Sequence, residues 1–287
     1  VAVRSDPSPL RWLIGVELAR YRNEAGVSLA VASDQTGMSK AKIGHMETGR
    51  QHQDPEDMAR LLKSYGAEQH DVDRLTNLTG RADQATWWGP WAQVVPDWLK
   101  TFVGLEGLAE REFVFEPIII PGLLQTEDYA RATTANTPRV RQDHGERFVG
   151  FRMARTRRLT DPERPLHLHA VIAEAALRLR VDGPEVQRAQ LEHLLTMAEQ
   201  PNMAEQPNIT IQVVRPEDGL HSAYTGQFIV LDFETVRSIG YAELHDGAVY
   251  AQDPEQVSSY IMAAESLQRV ALSPHQSSAL LKQMLET

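Results

Sequence analysis

The sequence predicts two domains: an all-α domain of five short helices over residues 1–82, then a larger α+β domain over 83–287 with a mainly antiparallel sheet. Three observations lead there. The first 80 residues set helical apolar spacing between glycines and capping residues at intervals that suit only short helices. The composition changes after Gly80, beyond which lie Trp87, Trp88, Trp91 and Trp98. Between Ile209 and Tyr250 come four strand-like runs, with Asp246-Gly247 as a hairpin signal. A chain of 287 residues is long enough to bury two cores.

The first helix is expected from Leu10 to about Glu24, with Leu10, Leu13, Ile14, Leu18 and Tyr21 on one side and Gly26 after its end. Ser28 is a natural N-cap for the second helix, which carries Leu29, Val31, Ala32 and Gln35. Gly37-Met38 makes the turn, because glycine tolerates positive φ. Ser39 caps the third helix. There Ile43 and Met46 face the core, which leaves Lys40, Lys42 and His45 outward. Asp54 caps a fourth helix with Met58, Leu61 and Leu62 inward, and a fifth spans Gln69 to Leu78 before Gly80.

Two short helices joined by a tight turn between Gly26 and Gly49 form the unit that presents a recognition helix to a DNA major groove. These five helices resemble the lambda-repressor-like domain of the Cro-like, xenobiotic-response-element (XRE) class of bacterial regulators. The resemblance implies that the helix from Ser39 to Thr48 lies in the groove. It further implies base or phosphate contacts from Ser39, Lys40, Lys42 and His45, with Ser28 at the start of the second helix. Arg50 and Gln53 stand where the following loop reaches the DNA backbone, whereas Glu47, in the matching Glu47-Thr48-Gly49 segment, reads as structural. The chain departs from the family in carrying Gly44-His45 where a Ser-Arg pair is common.

The formal net charge is −10, yet residues 1–82 hold 11 basic and 11 acidic residues, so the excess lies in 83–287. Long-range repulsion then weakens non-specific attraction to DNA, and two readers acting together would offset it. There is no cysteine, hence no disulfide or thiolate metal site. No apolar run approaches the length of a membrane span, and the first residues carry no hydrophobic signal core. The expectation is a cytoplasmic, nucleoid-associated protein.

Residues 81–86 read as a polar joint, and the helix after Pro96 places Trp98, Leu99, Phe102, Leu105 and Leu108 at core spacing. Phe113 to Ile120 is apolar, Pro121-Gly122 turns, and Thr126 or Glu127 starts a helix. Val140 to Leu159 is expected as one helix, with Phe148, Phe151 and Leu159 inward and its arginines in solvent. A strand follows at Pro165 to Ile172, then helices at Glu174 to Arg180 and Val186 to Ala198. Residues 197–202 and 203–208 are the same six letters, MAEQPN, a tandem duplication tolerated at a surface. Strands at 209–214, 227–233, 238–244 and 248–250 precede two helices, starting at Asp253-Pro254 and Ser273-Pro274, that offer a face for a two-fold homodimer.

Glu116 to Arg131 is similar to the signature of a large C-terminal domain, long without an assigned activity, found behind helix-turn-helix modules in Streptomyces and related actinobacteria. The similarity continues through 174–179, 190–195, 207–214 and 226–233. It implies regulation, commonly with a small partner protein encoded nearby. Trp88, Phe115 and Tyr224 are candidates for a small-molecule pocket or partner surface. The chain holds no phosphate-binding glycine loop, no metalloprotease histidine pair and no nucleophile elbow, so no catalytic residue, metal or cofactor is expected. Two functions fit: a transcription regulator binding a double-stranded operator, with its large domain sensing a small-molecule effector or small protein; or an antitoxin-like interaction component whose DNA module autoregulates its operon.

Overall fold

The computed structural model describes residues 9–79, 87–199 and 208–286. They form two compact units. The first takes the described residues up to Pro90 with Asp97–Leu108 and Phe233–Arg237; the second takes Trp91–Pro96, Ala109–Asp232 and the described residues from Ser238 onward.

The first unit contains α1 (Pro9–Glu24), α2 (Leu29–Thr36), α3 (Lys40–Glu47), α4 (Pro55–Ser64), α5 (Gln69–Thr79) and α6 (Asp97–Leu108). Its helix starts are set by local chemistry. Ser28 Oγ accepts from the Val31 amide at 3.3 Å, Ser39 Oγ from Lys42 at 3.2 Å, and Asp54 Oδ1 from Glu56 at 2.9 Å. Each bond satisfies an amide that has no partner inside the helix. Gly37 ends α2 at φ 73°, which turns the chain into α3. Ile14, Leu18, Ile43, Met46, Met58 and Leu61 make one core. Ile43 and Met46 are wholly buried, and removing each from water contributes about 2 kcal/mol. α6, expected within the larger domain, packs on α1. The approach is close: a Cβ on Gly104 would sit 1.8 Å from the ring of Pro9.

The second unit is built on a six-stranded mixed, mostly antiparallel sheet: β1 (Arg111–Glu116), β2 (His167–Ala173), β3 (Ile209–Val214), β4 (Phe228–Asp232), β5 (Ile239–Leu244) and β6 (Gly247–Ala251), in the order β3-β2-β1-β4-β5-β6. β1, β2 and β3 run parallel, and the other pairings are antiparallel. The parallel half follows from the connections. β1 returns to β2 through α7 (Glu127–Ala135) and α8 (Gly145–Thr156), and β2 to β3 through α9 (Glu174–Arg178) and α10 (Pro184–Glu199). Phe113, Phe115, Val171, Phe228 and Val230 share a core with Ala264 and Leu267 of α11 (Pro254–Val270). Alternate residues such as Val114, Ala170 and Ile172 are buried too, as strands covered on both faces require. α12 (Pro274–Glu286) packs on α10 and β3.

Three local expectations are corrected. The helix expected from Val140 begins at Gly145, with 3-10 turns at Gln142–His144 and Arg157–Thr160 on either side. Two of its arginines are drawn away from solvent, Arg155 fully and Arg152 in part. Arg155 lies on the inward stripe with Phe148 and Phe151 and is 9 % exposed, and Arg152 stacks on Phe148 and donates to Gln125 Oε1 at 2.8 Å. The hairpin loop is His245-Asp246, one residue earlier than expected, because Gly247 pairs with Leu244. The polar joint at 81–86 and most of the MAEQPN duplication lie outside the described residues. Asn208, which closes the second copy, is buried and donates to the carbonyls of Leu159 and Leu166.

Candidate nucleic-acid interface

The outer face of α3 carries Lys40, Ala41, His45 and Thr48, all exposed, around the half-exposed Gly44; Ile43 and Met46 point the other way. At Gly44 a Cβ would meet nothing within 4 Å, so the centre of this face is bare backbone open to an approaching molecule. Ser28 and Ser39 are exposed at the starts of α2 and α3. Each accepts its capping bond and keeps its hydroxyl hydrogen for an outside acceptor. Helix N-termini also present free amides and a partial positive charge, the usual setting for a phosphate.

Packing that reaches back to α1 fixes α3. Arg22 donates from Nε and Nη2 to the two carboxylate oxygens of Glu47, at 2.6 and 2.9 Å, and from Nη1 to the carbonyl of Val27 at 3.0 Å. Hydrogen bonding to Glu47 holds the Arg22 guanidinium above its ordinary pKa. Burial, then the Glu47 charge, push the neighbouring Tyr65 phenol up to about 12. The helices approach closely enough that a Cβ on Gly15 would fall 2.5 Å from the Glu47 carbonyl oxygen. Glu47 is thus structural, as its motif implied.

The other expected contacts separate into distinct environments. Lys40, His45 and Arg50 are exposed. Lys42 is half-buried and forms an ion pair with Asp57 of α4, which partly neutralises it and holds it against the scaffold. Gln53 is a correction. It is 1 % exposed, and its Nε2 donates to the carbonyls of Arg11 and Met46, at 2.8 and 2.7 Å, so it clasps the end of α3 to α1 and presents nothing to DNA. Sequence reasoning missed Ala41, Gly44 and Thr48 as members of the outer face. The i, i+4 spacing of Lys40, Gly44 and Thr48, and of Ala41 and His45, would have signalled them.

The second candidate set is divided between the two units. Phe115 is 2 % exposed, edge-on to His221 and against Phe228, and so belongs to the sheet core rather than to a pocket or partner surface. Its aromatic bulk on a strand buried on both faces decides this. Tyr224 is exposed in the same unit, and Trp88 is half-buried in the first unit. The second unit has a cleft of about 710 Å³ between α7 and the start of α8, where Arg131 is already bonded to Glu127, Asp128 and Glu146. His169 meets Gln212 Oε1 at 2.6 Å, and burial lowers its pKa. No group of three or more His, Asp or Glu among the described residues is placed to hold a metal ion. No helix among them is long and apolar enough to cross a membrane.

A family model described as a helix-turn-helix domain matches residues 13–75, the stretch that carries α2, α3 and the Arg22–Glu47 pair. A second model, described as a domain of unknown function (DUF5753), matches residues 99–283, well over half of the chain. The chain belongs to the DUF5753 family. This member joins its DUF5753 region to a helix-turn-helix domain, a pairing consistent with an XRE-family regulator. No curated protein and no solved structure matches the chain.

Proposed function

We propose that this DUF5753 protein is a homodimeric, sequence-specific regulator of transcription. It reads a double-stranded operator with α3 and receives its signal, a small molecule or a small protein encoded nearby, through the C-terminal unit. The observation that carries this is the outer face of α3: exposed Lys40 and His45, capped helix starts, and open backbone at Gly44, on a helix held rigid by Arg22–Glu47 and Gln53. A preorganised helix of this kind loses little order on entering a groove. Ser28, Ser39, Lys40, Lys42, His45 and Arg50 are the assigned contacts. Two-fold pairing would match two half-sites, and the chain's net charge of −10 makes a single reader weak. The reading is of a cytoplasmic, nucleoid-associated protein without catalytic activity.

The edge strand β6, where Val249 is exposed and Leu244 at the end of the neighbouring β5 is exposed too, favours a second reading: an antitoxin-like interaction component that autoregulates its own operon. Titration of the full chain onto its own upstream DNA, at two salt concentrations and against a scrambled duplex, tests the common part. Saturable, selective, salt-sensitive binding is expected; equal affinity for the scrambled duplex overturns it.

A further inference from the structure

The cleft of about 710 Å³ in the second unit runs from the last turns of α7 to the first turn of α8, and its size suits a small organic ligand. Its buried lining is Val149 and Thr134, which are 2 % and 4 % exposed. Val140 adds a half-buried apolar wall, and Arg141, Gln142 and Glu146 are exposed around the opening.

The Thr134 hydroxyl oxygen is buried and has no hydrogen-bond partner among the described residues. A threonine inside a helix commonly returns its hydroxyl to a carbonyl one turn back. Thr36, Thr76 and Thr133 do so here, at 2.6, 2.8 and 3.1 Å. Thr134, the next residue of α7, does not. A buried hydroxyl left unbonded carries its desolvation cost in full. In the lining of a cleft, that cost is recovered when a molecule with a matching polar group enters.

The charge at the opening has a sign. Arg131 donates to Glu146 at 3.0 Å, to Asp128 at 2.6 Å and to Glu127 at 2.7 Å. Arg141 donates to both oxygens of Asp143, at 3.0 and 2.8 Å. Two guanidiniums thus meet four carboxylates, and both are already committed. Arg131 engages Oε1 of Glu146 and leaves Oε2 to an incoming donor. α7 also ends in this cleft, which adds the partial negative charge of a helix C-terminus.

We propose that this cleft binds a small primary amine with an apolar body and a hydroxyl at its far end. The ammonium stays at the wet opening on Glu146, where a charge keeps part of its hydration. The apolar body lies on Val140 and Val149, and the neutral hydroxyl reaches Thr134, since a charge in that buried position would cost far more. This deepens the regulatory reading of the C-terminal unit and rests on it for any consequence at DNA.

Calorimetry on the full chain tests it, with linear amino alcohols from ethanolamine to 6-aminohexanol as probes. Each has two controls of equal length: the alkylamine with methyl in place of hydroxyl, and the diol with hydroxyl in place of ammonium. At one chain length the amino alcohol is expected to bind at least about threefold tighter than either control. Thr134→Val, which keeps the side-chain shape, should erase the advantage over the alkylamine and leave the melting temperature unchanged or higher. Glu146→Gln should erase the advantage over the diol. It alters an exposed side chain, so it keeps the test open if Thr134→Val does not fold. Absence of binding across the series, or advantages that survive their variants, overturns the site. So does tighter binding of 6-hydroxyhexanoate than of 6-aminohexanol, which would mean that the cleft takes an anion. Operator affinity is measured separately. Amino alcohol binding that leaves it unchanged supports the site and removes the regulatory role, whereas absent binding with intact operator selectivity removes the site alone.

Discussion

Arg22 on α1 grips both carboxylate oxygens of Glu47, the last residue of α3, at 2.6 and 2.9 Å. The two side chains are 14 % and 8 % exposed, so the pair is largely withdrawn from water. Glu47→Ala leaves a buried guanidinium unmatched, at a cost on the order of 3 kcal/mol. The thermal midpoint of the first unit should drop and DNA affinity should fall with it. A double-mutant cycle with Arg22→Ala checks the coupling, and strictly additive losses would contradict a direct pair.

Two glycines of the first unit should respond in opposite ways. Gly15→Ala drives a methyl into the Glu47 carbonyl and should destabilise. Gly44→Ala has open space and should stabilise α3 by roughly 1 kcal/mol through helix propensity. If DNA approaches the bare backbone at Gly44, the same change weakens operator binding. A Gly44→Ala variant both more stable and unimpaired in a gel shift would remove Gly44 from the interface.

Lys42 is tethered and Lys40 is not, which predicts unequal shares. Lys40→Ala plus Lys42→Ala should weaken DNA binding without changing oligomeric state. The slope of log K against log salt should decrease by about one for each phosphate that a lysine no longer neutralises. Asp57→Asn releases Lys42 from its ion pair and should raise affinity and steepen that slope. A slope untouched by any of these variants would take both lysines off the DNA.

Gln53→Ala removes two donors from the buried carbonyls of Arg11 and Met46 and should cost about 1–3 kcal/mol. Because Gln53 faces inward, the salt slope of DNA binding should stay the same while the melting temperature falls. The reverse pattern would return it to the interface.

Glu116 gives a pH signature. Burial, then Glu243, raise its folded pKa to about 8 from an ordinary 4.5. The unfolded chain therefore ionises first. The contribution of Glu116 to stability is complete below about pH 4.5 and is lost as pH climbs toward 8. Melting curves of Glu116→Gln and the unaltered chain should diverge through that window in favour of the glutamine, then run parallel. Parallel curves throughout would mean that Glu116 titrates as it does in the unfolded chain.

The DNA-reading half was largely legible because its signals are local. Ser28, Ser39 and Asp54 cap the helices they were expected to cap, and Gly37 takes the positive φ expected of it. A cap bond spans two or three residues, so the sequence contains both partners. Gln53 was misread because its partners, Arg11 and Met46, come from α1 and α3, and a polar residue in a loop looks solvated until the chain closes over it.

By itself the sequence determined the helix boundaries of the first unit, five of the six strands of the second and the family to which the chain belongs, since periodicity, caps and motif spacing act over a few residues; β1 was legible only as an apolar run. Tertiary structure alone decided that β1, β2 and β3 run parallel, that α6 packs on α1, that Phe115 is core, and that Arg152 and Arg155 turn inward. The physical reason is shared by all four. Each is settled by which distant surface is available to bury a group, and strand pairing, helix docking and the fate of a charge are long-range choices that local spacing leaves open.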